Sequence, residues 1–204
     1  MAVFFAGPSL AQNTVATSAS AARILVLGDS LSAEYGLQRG QGWVALLQAR
    51  LAQEKVSAQV INASISGDTT SGGRSRLPAL LAQHRPTVLV VELGANDALR
   101  GLPLAMTQDN LRALCNAAKA AGAKVLLVGM QVPPNYGQSY TREFADSFVK
   151  VAQEQKVALV PFLLKGIADA PNAGTLFQAD RIHPVAAAHP TMLNTVWPQL
   201  RRLL

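Results

Sequence analysis

Ser30 follows a short apolar run, residues 24–28, that reads as a buried strand bounded by turn residues. A hydroxyl at the end of the first strand of an α/β sheet faces the crevice where such sheets bind ligands. It can act as a nucleophile if an imidazole is brought beside it. Asp29 and Ser30 could equally do no more than make a turn and cap a helix. The chain has three histidines. His84 precedes Arg85-Pro86 and a strand, on the opposite edge of the expected sheet. His189 stands beside Pro190 with no carboxylate nearby, and both read as solvent-exposed loop histidines. His183 differs, because Asp180 lies three residues before it. In a turn, that spacing lets the carboxylate reach the Nδ1 proton and leaves Nε2 free to take a proton from serine. A capped helix start would use the same pair. Asp29, Asp68 and Asp97 are rival orienters, each in a turn with caps to make.

Acyl transfer also needs donors for an oxyanion. Asn96 ends the strongest strand of the chain, and its amide could serve. Gly67 would let its backbone N–H come close to a substrate. Turn formation explains each of these residues taken alone.

The elements that must position these groups alternate in type. Strands are expected at 24–28, 56–62, 87–93, 124–129 and 157–161, and helices at 43–53, 77–83, 107–121 and 144–155, with a last helix after Pro190. The alternation indicates parallel βαβ units and an α/β sandwich. In a parallel sheet the turns after Gly28, Asn62, Leu93 and Gly129 share one edge. Ser30, Gly67, Asn96 and His183 then converge from distant parts of the chain.

These blocks resemble the SGNH hydrolases, also called GDSL esterases. The family's four blocks match Gly28-Asp29-Ser30-Leu31, the Gly67 loop, Gly94-Ala95-Asn96-Asp97 and Asp180-x-x-His183. GDSLSAEYGL, GWVALLQ, VINASISGDTT, RLPALL, VELGANDALRG, VPPNYG, LVPF and IHP bring it nearest to the exported bacterial thioesterase I, lysophospholipase and arylesterase group. The resemblance spans about residues 23–204. It implies a three-layer α/β/α sandwich with a mostly parallel five-stranded, flavodoxin-like sheet and no cofactor. It further implies Ser30 as nucleophile, His183 as base and Asp180 as its orienter, with the Ser30 and Gly67 N–H groups and the Asn96 side chain as oxyanion hole. The expected reaction is hydrolysis of acyl esters and thioesters. Ala95, Ala98 and Arg181 stand where the group usually has glycine, which bears on cleft width and adds a charge near the site. No G-x-S-x-G elbow occurs, which argues against the ordinary α/β-hydrolase fold.

Apolar loop residues Leu102, Pro103 and Leu104, with Tyr136 in the 133–140 segment, are candidate walls for an acyl chain. A carbohydrate O-deacetylase on the same fold is one alternative. A non-catalytic flavodoxin-like module binding phosphate or flavin is another, but no G-x-x-x-x-G-K loop supports it.

Composition sets the remaining bounds. Half of the residues are hydrophobic and 15% are charged, the balance of a globular chain with a sizeable core. The net charge of +6 comes from scattered basic residues, with only Arg201 and Arg202 adjacent, so a nucleic-acid partner is not expected. One cysteine, Cys115, excludes an internal disulfide and a cysteine metal cluster, and it reads as a small core hydrophobe. No stretch of the later chain approaches the ~20 apolar residues of a membrane span. Residues 1–22 carry no charge and join a brief apolar patch to small polar residues, which resembles the later part of a secretory signal. The expectation is an exported, periplasmic or secreted monomer, with one domain over 23–204 and a small-molecule ester substrate.

Overall fold

Aliphatic residues that recur without polar interruption form strands buried on both faces, and β1 (Ala22–Gly28) and β3 (Val88–Glu92) are the clearest cases. The computed structural model describes Met1 and residues 21–204. The signal-like segment therefore lies, but for its two ends, outside the described residues. β1 pairs in parallel with both β2 (Ala58–Asn62) and β3, while β4 (Lys124–Val128) and β5 (Ala158–Val160) extend the far side. The order is β2-β1-β3-β4-β5. The register places Ile24 between Val60 and Val88, so the centre of the sheet is wholly aliphatic.

Among the described residues six α-helices clothe the sheet: α1 (Trp43–Gln53), α2 (Thr70–His84), α3 (Ala95–Leu99), α4 (Leu104–Ala120), α5 (Gln138–Gln155) and α6 (His189–Arg201). α1 packs on α6, and α2, α4 and α5 pack side by side as the other layer. This is the expected α/β/α sandwich with an all-parallel sheet. α1 runs over the residues its apolar stripe predicts, burying Trp43, Val44, Leu47 and Leu51.

α2 departs most from the sequence reading. It begins at Thr70 instead of near Pro78, and it carries Pro78 in its interior. Gly72, Gly73 and Pro78 all weaken a helix on propensity alone. Two things outweigh them. The Thr69 hydroxyl accepts the Gly72 N–H and caps the start. Gly73 lets the helix lie against the sheet, since a Cβ there would come within 2.3 Å of Leu93 Cδ1. α3 is a further departure, a five-residue helix where only a polar turn was expected.

Because every strand runs the same way, the loops after β1, β2 and β3 leave from one edge of the sheet. The core beneath that edge sets how rigidly they are held. Leu89, fully buried in β3, is at its centre. Leu89→Ala should cost about 2–5 kcal/mol of stability, read as a lowered urea midpoint with unchanged m-value.

Candidate active site

The loop after β1 is shaped by its own aspartate. Asp29 Oδ1 accepts the Leu31 N–H at 3.0 Å and Asp29 O accepts the Ala33 N–H, which turns the chain sharply at Ser30. Far along the sequence, Asp180 does the same for its loop. Its Oδ1 accepts the N–H groups of Ile182 and His183, both at 3.0 Å. Its Oδ2 is left for the His183 ring, 2.7 Å from Nδ1. His183 Nε2 then lies 2.8 Å from Ser30 Oγ, joining residues 153 apart in sequence. The backbone N–H of Ile182, then the His183 ring and N–H, hold Asp180 down to about 2, so it is ionised at any ordinary pH.

Gly67 and Asn96 come to the same edge. Gly67 has φ +79°, a left-handed backbone that glycine adopts without strain. A Cβ there would have room, so conformation and not space calls for glycine. Among the described residues neither the Ser30 nor the Gly67 N–H has a protein acceptor. The Asn96 amide is held from two sides, donating to Asp68 O at 2.9 Å and to Asp29 Oδ2 at 3.1 Å.

The rival orienters are otherwise engaged. Asp68 pairs with Arg76, and Asp97 is buried against the Thr70 N–H and the Thr70 and Thr107 hydroxyls. Asp29 is occupied by Leu31 and Asn96, and it also meets a residue the sequence reading passed over, Glu92 at the end of β3. Glu92 is fully buried; its Oε2 accepts the Ser32 hydroxyl at 2.7 Å, and its Oε1 meets no donor. Burial, reinforced by the Asp29 charge, raises Glu92 well above the carboxylate range. Burial also pushes Asp29 up to about 6. The direct contact between the two is the Asp29 N–H, which donates to Glu92 Oε2 at 3.4 Å, and burial favours the neutral form of Glu92 above all.

His189 is a correction. It is buried, not a solvent-exposed loop residue, and its Nδ1 accepts the Trp43 N–H at 3.0 Å. His84 closes α2, away from the site, with its carbonyl accepting Arg23 Nε. Cys115 is a buried core residue, its thiol pushed up to about 11 by burial. No group of three metal-ligating side chains occurs among the described residues.

Ser30, Gly67, Asn96 and His183 open into a cleft of about 790 Å³ lined by apolar Met130, Val132, Pro133, Phe162, Leu164 and Phe177, with polar Gln131, Thr141, Asp169 and Arg181 among them. Leu102, Pro103, Leu104 and Tyr136 do not line it. Leu104 packs on the core at the start of α4, and Tyr136 stacks on Tyr140. The short helix α3 presents Leu99 to the cleft instead.

Residues 26–190 match the model of the GDSL-like lipase/acylhydrolase family. The chain belongs to that family. Esterase TesA of Pseudomonas aeruginosa is 53% identical over 91% of each chain. Thioesterase 1/protease 1/lysophospholipase L1 of Escherichia coli is 42% identical over 92% of this chain and 87% of that one. A psychrotrophic esterase of Pseudoalteromonas, solved inhibited by monoethylphosphonate, superposes with a TM-score of 0.83 at 42% identity, covering 88% of this chain and 97% of that one. This SGNH hydrolase thus shares its fold and most of its length with esterases.

The buried His189 gives the fold a pH dependence of definite sign. Burial lowers its ring below the ordinary 6.5, so the unfolded chain takes up a proton first. Stability should fall as pH drops below about 6.5. His189→Gln, which keeps an acceptor for Trp43, should flatten that fall. Urea midpoints at about pH 7.5 and about pH 5.5 read both effects.

Proposed function

We propose that this chain hydrolyses carboxylic esters and thioesters of acyl chains through an acyl-enzyme on Ser30. The observation that carries the reading is the continuous hydrogen-bonded line Asp180–His183–Ser30, at 2.7 and 2.8 Å. Ser30 Oγ attacks the carbonyl carbon as His183 Nε2 takes its proton, and the carbonyl electrons move onto oxygen. The Ser30 and Gly67 N–H groups face that oxygen together with Asn96, which exchanges the longer of its two bonds, that to Asp29, for the oxyanion. When the tetrahedral adduct collapses, the C–O or C–S bond to the leaving group breaks and His183 returns the proton to the leaving group. Water repeats the sequence and frees the acid.

The apolar share of the lining, Met130, Val132, Phe162 and Leu164, supports an acyl chain, since these side chains gain by burying a hydrocarbon and offer a sugar hydroxyl nothing. No described helix is long and apolar enough to cross a membrane, and the composition of residues 1–22 favours export.

A phosphonate ester carries the test. It should form one adduct, located on Ser30 by mass spectrometry, and Ser30→Ala should abolish both labelling and hydrolysis; a missing adduct, or one elsewhere, refutes the mechanism. Asn96→Ala should lower kcat about 10²–10³-fold with little change in KM.

A further inference from the structure

His183 sits in a loop that follows β5 by more than twenty residues, closed on itself by an antiparallel bridge between Phe177 and Pro184 but paired with no strand of the sheet. Its own turn, built by Asp180, sets the ring's tilt within the loop but not the loop's distance from Ser30. That distance must be set by contacts reaching across to the β1 loop.

Gln178 makes them. Its backbone N–H donates to His183 O at 2.7 Å and its backbone carbonyl accepts the Arg181 N–H at 2.9 Å, which closes the loop on itself. Its side-chain amide spends one hydrogen across the gap, on Tyr35 O at 2.9 Å, and the other within its own loop, on Pro184 O at 3.1 Å. Tyr35 is five residues beyond Ser30, its N–H bonds Ser30 O, and its ring stacks on the His183 ring with centroids 4.3 Å apart. Pro184 follows His183 directly and lies five residues before the buried His189, whose ring is anchored to the start of α1. The amide lies so close to the β1 loop that a Cβ on Gly36 would meet Gln178 Oε1 at 2.1 Å.

From this geometry we infer that Gln178 is a positioning residue for the hydrolysis, tying the loop of the nucleophile to the loop of the base through the carbonyls of Tyr35 and Pro184. The inference rests on the hydrolase reading above. Neither carbonyl reacts, and the amide touches neither Ser30 Oγ nor the His183 ring nitrogens, so it acts on the rate only through their spacing. Proton transfer is steep in that spacing, and a misplacement of about 1 Å can cost about 100-fold.

Two substitutions separate donation from packing. Gln178→Met keeps the length and volume and removes both donors. Gln178→Glu keeps the shape and turns an anion toward two carbonyl oxygens. The readouts are kcat and KM for a soluble ester, the rate constant for phosphonate labelling of Ser30, and the number of labelled sites per protein at completion. Gln178→Met should lower kcat and the labelling rate constant by about 10- to 100-fold, with KM and the final number of labelled sites unchanged. Gln178→Glu should be slower still. A Met variant that labels at the wild-type rate shows that volume alone suffices and overturns the proposal. So does a loss of rate matched by a loss of labelled sites, which marks a folding defect. A wild-type protein that is not labelled at Ser30 would instead overturn the hydrolase reading, before the variants are compared.

Discussion

One carboxylate builds a turn and orients a ring at the same time, and the reactive geometry depends on it. Asp180 gives one oxygen to two backbone N–H groups and the other to the His183 imidazole. Backbone capping and ring orientation look like competing uses of an Asp-x-x-His sequence. Here they are complementary, because the two oxygens point in different directions. The bonds to backbone fix the carboxylate, and a fixed carboxylate can hold a ring. Asp29 follows the same economy at the other loop, with Oδ1 on the Leu31 N–H and Oδ2 on the Asn96 amide.

The parallel sheet supplies what these local turns cannot. The ends of β1, β2 and β3 deliver Ser30, Gly67 and Asn96 to one edge, each a few residues past a strand. That part of the site was legible in the sequence, because buried parallel strands are continuous aliphatic runs and the residue after such a run has a known place. The turn chemistry of Asp180 was legible too, since it is local. Residues that act across the fold were not. His189 stands beside Pro190 with no acid in sequence reach, and only the packing of α6 on α1 brings Trp43 to its ring. Gln178 resembles any polar loop residue until Tyr35, 143 residues away, is placed beside it. Glu92 sits at the end of an apolar strand and gives no sign of whether it faces water or Asp29.

The helices were legible in proportion to how far local preference agreed with packing. α1 has a clean apolar stripe and matched to the residue. α2 contains Gly72, Gly73 and Pro78, and its first half forms because a threonine caps it and the sheet accepts a residue without a side chain. The cleft walls were misplaced for a related reason. The turn after Asn96 winds into α3, which rotates Leu99 to the cleft and carries 102–104 away onto α4.

The burial that favours a neutral Glu92 beside Asp29 has an electrostatic consequence for the cleft above it. Asp29 touches the amide that faces the oxyanion, so two full negative charges there would oppose the charge that builds on the carbonyl oxygen. With Glu92 neutral, the floor of the cleft carries one anion, Asp29, which keeps the Leu31 N–H when the amide turns away from it. Burying an acid so completely that it stays uncharged lets the protein use a carboxyl group as scaffolding in a place where repulsion would slow the reaction.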